Sequence, residues 1–230
     1  MPLIEVDAVT HYYGQGKARR LVLDDVSVRL DERRVGVIGA NGSGKSTFAR
    51  LLNGLVVPAS GRVSVDGLDT KSQGRKVRET VGFCFTDPDA QIVMPTVRED
   101  VAFSLKSSGL AKAEVAARTD ACLERFGLAQ HADHPSHLLS GGQKQLLALA
   151  AVLIREPGLL VMDEPTTLLD LRNARMIGEA IAGLDHQVIL VTHQLDLLAG
   201  FDRVLVFDEA RLVCDAAPAE AVAAYLGLMS

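Results

Sequence analysis

Gly39-Ala40-Asn41-Gly42-Ser43-Gly44-Lys45-Ser46-Thr47 stands between a short apolar run, Arg34 to Ile38, and a helical pattern, Ser46 to Leu52. The spacing is G-x-x-x-x-G-K-[ST], and a strand before it with a helix after it is the context in which that spacing cradles phosphate. Glycines let backbone N–H groups turn inward with no Cβ in the way, and the positive end of the following helix adds to them. Lys45 brings a point charge to β- and γ-phosphate oxygens, and Ser46 offers a hydroxyl to Mg²⁺. The alternative, a plain glycine turn, is set aside because the context is satisfied on both sides.

Outward from this loop the pattern has two parts. Leu3 to Val9 and Val22 to Leu30 alternate apolar and polar, and Gly61 to Val65 ends in Asp66-Gly67, a hairpin turn pair. These predict a partly antiparallel sheet in the first third. Val81 to Phe85, Leu159 to Met162, Val188 to Thr192 and Arg203 to Phe207 are short apolar runs. They suit a parallel sheet covered on both faces. Helical stretches lie between them at Ala111 to Phe126, Gln143 to Ile154 and Asn173 to Leu184. The block from about Asp87 to Ala150 reads as helices without a clear strand, a helical lobe inserted in an α/β core. We expect one domain over residues 1–230, with that lobe inside it.

The run Leu159-Leu160-Val161-Met162-Asp163-Glu164 is an apolar strand that ends in two carboxylates. A strand buried on both faces shows polar residues only at its end, where the ligand crevice of an α/β sheet lies. Asp163 is expected to hold Mg²⁺, directly or through water, and Glu164 to accept a proton from, or orient, an attacking water. His193 follows the run Val188 to Thr192 in the same way and is placed to reach a γ-phosphate.

Composition narrows the class further. The chain has 230 residues, 48% hydrophobic, enough for a well-packed core. Its formal net charge is -5 and Lys and Arg are scattered, so no nucleic-acid footprint is visible. Cys84, Cys122 and Cys214 lie far apart, which fits a reducing compartment without a disulfide framework. The opening MPLIEVDAVT lacks the basic and apolar regions of a signal peptide. The longest apolar stretch, Leu146 to Ile154, falls short of the ~20 residues a spanning helix needs, so a membrane role is expected to require another subunit.

Leu139-Ser140-Gly141-Gly142-Gln143 matches the LSGGQ signature of ABC ATPases, and through it the whole chain resembles that family. Physically, Ser140, Gly141 and Gly142 form a second anion-binding helix N-terminus. The resemblance implies an α/β ABC-ATPase fold: a RecA-like P-loop core, an N-terminal antiparallel β region and an inserted α-helical subdomain. It implies that Ser140, Gly141, Gly142 and Gln143 face the phosphate loop of another ATPase subunit, in a head-to-tail homodimer or heterodimer that sandwiches two ATP. Lys45, Ser46, Asp163, Glu164 and His193 would be the hydrolytic set, with ATP and Mg²⁺ bound along Gly39 to Thr47. Tyr13 resembles the aromatic that stacks on adenine, and adjacent Tyr12 competes for that role. Thr167-Leu168-Leu169-Asp170 resembles the D-loop, with Leu168 where the family more often has a small residue.

Phe85-Thr86-Asp87-Pro88-Asp89-Ala90-Gln91, followed by Glu99-Asp100-Val101-Ala102-Phe103, is similar to the ATPases of energy-coupling factor importers. Within that group the chain looks like a biotin transporter ATPase, with a cobalt or nickel one as the alternative. A transmembrane coupling subunit would dock near residues 87–100, and a substrate-binding membrane subunit would act through it. The chain would then sit peripherally on the cytoplasmic face of the inner membrane. Asp87, Asp89, Glu99 and Asp100 are either partners for that subunit's arginines or a solvated acidic loop. The family's Q-loop glutamine falls at Thr86; either a water held by Thr86 or a relocated Gln91 would reach the metal. The chain also stops soon after Ala216 to Leu226, where many relatives carry a further dimerisation segment. His131, His134 and His137 are set aside as a metal site, because Pro135 interrupts the helix and no Cys or carboxylate cluster completes a shell. No Asn-Lys-x-Asp motif supports a GTPase.

Overall fold

The computed structural model describes Met1–Met229, with Lys17 by its backbone alone. The described residues form two compact units: Met1–Phe83 with Gly158–Glu164 and Asp185 onward, and Cys84–Pro157 with Pro165–Leu184.

The first unit holds two sheets. One has β1 (Ile4–Tyr13), β2 (Arg20–Leu30), β4 (Ser60–Val65) and β5 (Leu68–Asp69) in the order β2-β1-β4-β5, with antiparallel pairs. The alternation legible in the sequence buries Ile4, Val6, Leu23, Val26, Val63 and Val65 on its inner side. The register of β1 against β2 shifts between Val6 and Val9, where Ala8 takes a φ of 46°. That bulge bends the strand.

The other sheet has the order β10-β9-β3-β8-β7-β6. Its centre is β3 (Arg34–Gly39), β8 (Gln187–Val191) and β7 (Leu159–Asp163), every residue of which is buried. That explains their apolar, non-alternating sequences. β3 pairs in parallel with β8 and with β9 (Arg203–Asp208), and β7 in parallel with β8. β6 (Val81–Cys84) closes one edge and β10 (Arg211–Ala216), antiparallel to β9, closes the other. β10 was not expected from the sequence, although Leu212, Cys214 and Ala216 alternate with more exposed residues. α1 (Lys45–Leu52) buries Phe48, Ala49, Leu51 and Leu52, with Phe48 tilted on Phe207 at 5.1 Å between ring centroids. α7 (Pro218–Leu228) seats Ala221 in a cluster with Ile38, Leu198, Val204 and Val206. α2 (Gly74–Thr80) buries only Val77, so no helical period announced it.

The second unit is helical. α3 (Val97–Phe103) starts with a complete capping box between Thr96 and Glu99, a start signal present in the sequence that the strand-and-helix reading passed over. α4 (Lys112–Arg125) and α5 (Gly141–Leu153) pack on α3, and α6 (Leu171–Ala182) packs on α5. Asp170 caps α6 by accepting from the Asn173 N–H at 2.8 Å. Leu146, Leu147, Leu149 and Leu153 of α5 are buried, each contributing about 1.5–3 kcal/mol of transfer free energy.

Candidate active site

The phosphate loop takes its shape from glycines that no other residue fits. Gly39 has a φ of 150°, and a Cβ there would lie 2.0 Å from the Phe207 carbonyl oxygen. Gly44 has a φ of 109°, and a Cβ would lie 2.4 Å from the Val22 carbonyl oxygen. Gly44 is also the N-cap of α1, with no side-chain cap over that helix end. The first N–H groups of α1 are therefore not occupied by a capping side chain. Lys45 is 4% exposed, and its Nζ donates to Gly39 O at 2.9 Å and Ala40 O at 2.8 Å. Burial pushes the Lys45 ammonium below its usual pKa, while Glu164 and Asp163 pull it back up. The net shift is downward, so the cation stays under-compensated despite those carboxylates, and an anion arriving there would relieve it. Ser43 Oγ, 4% exposed, is a buried hydroxyl without a hydrogen-bond partner in the same loop.

Beside the loop stand the two carboxylates. Asp163 closes β7, where it is 1% exposed. Its Oδ1 accepts from Ser46 Oγ at 2.7 Å, and its Oδ2 faces Arg50 Nη2 at 3.4 Å. Burial raises the Asp163 pKa, and the Ser46 hydroxyl and the Arg50 charge oppose that. Arg50 was missed in the sequence; it lies four residues after Ser46 on α1, so the two share a face. Glu164 leaves the strand with a φ of 53°, rare for a residue with a side chain. Its N–H donates to Val191 O at 3.0 Å, and its Oε1 lies 3.1 Å from His193 Nε2. The parallel registry of β7 and β8 places both strand ends together. A backbone strain of this kind clusters at functional sites.

Lys45, Ser46 and Glu164 border one cavity of about 380 Å³, lined also by Tyr13, Asn41 and Gly42. Tyr13 is 44% exposed, with His11 edge-on at 4.9 Å and its hydroxyl 3.4 Å from Thr47 Oγ1. The Tyr12 ring is covered by the Arg19 guanidinium at 3.7 Å. Of the two tyrosines, Tyr13 is the one that lines the cavity.

In the second unit, Ser140 is the N-cap of α5 within a full capping box: Gln143 N–H donates to Ser140 Oγ at 3.3 Å, and Ser140 N–H to Gln143 Oε1 at 2.9 Å. A Cβ on Gly142 would lie 2.4 Å from Asn173 Oδ1, so α6 requires glycine there. Gln91 is held at both ends of its amide, accepting from Phe85 N–H at 3.2 Å and donating to Ala148 O at 3.2 Å. The four acidic residues expected near 87–100 are each engaged inside this unit. Asp87 accepts from Asp89 N–H, Asp89 pairs with Lys144 at 2.7 Å, and Glu99 completes the α3 capping box. Asp100, 3% exposed, accepts from the N–H groups of Val93 and Met94 at 2.8 and 2.9 Å. The sequence pattern alone did not show that turn chemistry already uses these carboxylates.

Comparison with known proteins gives the family. A family model for ABC transporters matches residues 23–167. The chain is 50% identical over 206 residues to a biotin transport ATP-binding protein of Rhizobium etli, covering 90% of this chain and 92% of that one. The solved structure of cbiO1 from Clostridium perfringens, part of the ABC transporter complex cbiONQ, superposes with a TM-score of 0.83 at 33% identity. It covers 97% of this chain and 92% of that one. The dimeric, post-hydrolysis ATP-binding cassette MJ0796, bound to ADP and Pi, superposes with a TM-score of 0.82 at 26% identity, over 94% of this chain and 98% of that one. This chain belongs to the ABC transporter ATP-binding family and has its α/β cassette fold. It is an ATP-binding ATPase of that class.

Proposed function

We propose that this chain hydrolyses ATP to energise an importer of the energy-coupling factor type, with biotin as the cargo. The observation that carries the chemistry is a cavity lined by Lys45, Ser46 and Glu164, with Asp163 hydrogen-bonded to Ser46 and His193 3.1 Å from Glu164 behind them. Lys45 and the loop N–H groups bind the β- and γ-phosphates, and the exposed Tyr13 ring stacks on adenine. Ser46 Oγ and the Asp163 carboxylate are adjacent hard oxygen donors, the chemistry Mg²⁺ selects, and they are the residues that would hold it. Bound there, it would neutralise charge on the phosphates. Glu164 orients and deprotonates the attacking water, and His193 holds the Glu164 carboxylate and reaches toward the γ-phosphate.

The signature turn at Ser140, Gly141, Gly142 and Gln143 completes the site of a second ATPase chain, in the head-to-tail dimer that the signature implies. The dimeric MJ0796 cassette supports a paired arrangement. A transmembrane coupling subunit docks near residues 87–100. No helix of the described residues is long and apolar enough to cross a membrane. In this reading the chain attaches peripherally, at the cytoplasmic face, through that subunit. Biotin rests on the similarity to the Rhizobium etli protein and on the residues 85–103. The test is purification of the tagged chain from native membranes. A small biotin-binding membrane subunit is expected, with ATP-dependent biotin uptake on reconstitution; a different cargo subunit and no biotin uptake would overturn the assignment.

Thr86 stands in place of the glutamine that normally contacts metal and water, and a water held by its hydroxyl would take over that contact. Gln91 is already held at both ends, and swinging it out would break two hydrogen bonds at about 0.5–1.5 kcal/mol each. Thr86→Val is therefore expected to lower ATP turnover of the isolated ATPase. Thr86→Gln is expected to be tolerated, and Gln91→Ala to weaken coupling to the membrane subunit more than turnover. The opposite ranking of Thr86→Val and Gln91→Ala in the isolated ATPase would contradict it.

A further inference from the structure

We infer that His131 is a positioning residue for the signature turn, and that it does this work in its neutral form. The backbone N–H of Ser140 can only donate. Ser140 N–H lies 2.9 Å from one end of the Gln143 amide, so that end is the oxygen. The other end, Nε2, is a donor and lies 2.9 Å from His131 Nε2. That ring nitrogen must offer a lone pair. A neutral imidazole with its lone pair on Nε2 carries its proton on Nδ1. His131 Nδ1 lies 3.1 Å from His134 Nδ1, which then accepts, leaving the His134 proton on Nε2. Gln130 Nε2, 3.4 Å from His131 Nε2, adds a second amide toward the lone pair.

Protonation of His131 would set its Nε2–H against the Gln143 NH₂ group, donor against donor. Turning the amide over would relieve that contact, but it would set Nε2 against Ser140 N–H and open half of the capping box on α5. Either way the turn that carries Ser140 and Gly141 loses its fixed shape. His134 faces the Nδ1 side, and charging it would remove the acceptor for the His131 proton. Of the charged groups on the surrounding elements, Asp133 and Asp120 pair with Arg98, and Asp89 with Lys144. The holding contact is made while His131 Nε2 keeps its lone pair and is lost when that nitrogen carries a proton.

The inference rests on the proposed role of the signature turn in hydrolysis. Its test compares the ATP turnover of the full chain across about pH 5 to 8 in wild type, His131→Tyr and His131→Lys. A Tyr hydroxyl accepts from Gln143 throughout that range, whereas a Lys ammonium only donates. His131→Tyr is expected to keep neutral-pH turnover and to flatten the fall toward acid pH. His131→Lys is expected to lose about fivefold at neutral pH, the scale of a weakened cap, with ATP binding unchanged. Ring ¹⁵N spectra of the wild-type chain at neutral pH are expected to show His131 protonated on Nδ1; an Nε2–H tautomer would overturn the inference whatever the kinetics. Ser140→Arg measured alongside separates two failures. If Ser140→Arg loses turnover while both His131 variants titrate as wild type, the positioning inference alone is wrong. If Ser140→Arg turns over normally, the role of the signature turn is wrong and the inference falls with it.

Discussion

Glu164→Gln is expected to lower ATP turnover by about 10²–10⁴ while leaving ATP binding intact. The substitution keeps the size of the side chain and its reach to His193 Nε2, 3.1 Å from the present Oε1. It also keeps the backbone turn, fixed by the Glu164 N–H bond to Val191 O. What it removes is an oxygen able to take a proton from water. A loss of that size corresponds to about 3–5 kcal/mol of barrier. Binding survives because Lys45, the loop N–H groups and Tyr13 are untouched, so ATP-bound dimer is expected to accumulate. Steady-state turnover measured beside equilibrium nucleotide binding checks both halves. Near-normal turnover would show that Glu164 is not the base.

Ser140→Arg is expected to abolish hydrolysis and leave ATP binding by the single chain unaffected. Ser140 is exposed at the start of α5, and its Oγ and backbone N–H both serve the capping box. Arginine removes the cap, at about 0.5–2 kcal/mol, and places a long cation where a neighbouring chain's nucleotide would sit. The cap alone is too small an effect to stop turnover. A complete loss therefore reports the blocked contact between chains, and a modest loss with normal dimerisation would point to the cap only.

The sequence carried much of this structure, and the reasons differ by element. β3, β7 and β8 were legible because strands buried on both faces leave unbroken apolar runs. The phosphate loop was legible because its backbone needs glycine where a Cβ would strike the Val22 and Phe207 carbonyls. The contact between Glu164 and His193 was not, since the two residues meet only because β7 and β8 are parallel neighbours in one register. Arg50 escaped because an arginine on an amphipathic helix reads as surface until Asp163 is placed beside it. The choice between Tyr12 and Tyr13 needed Arg19, which covers one ring and leaves the other free to line the cavity. Asp100 was read either as a partner for another subunit's arginines or as solvated charge, and its burial against two backbone N–H groups is a turn that composition does not announce.

The central claim, that ATP is hydrolysed in sites each shared by two chains, is tested most directly by mixing two inactive variants. Lys45→Ala removes the phosphate cation from its own loop, and Ser140→Arg spoils the signature it lends to its partner. Each homodimer is expected to be silent. In a mixed dimer, one site joins two damaged halves, and the other joins the intact loop of the Ser140→Arg chain with the intact signature of the Lys45→Ala chain. Equal mixing gives mixed dimers in about half of the pairs, hence roughly one intact site in four. ATP turnover that returns on mixing and peaks near equal amounts is the predicted result. No recovery at any mixing ratio, with dimer formation confirmed, would contradict the shared site.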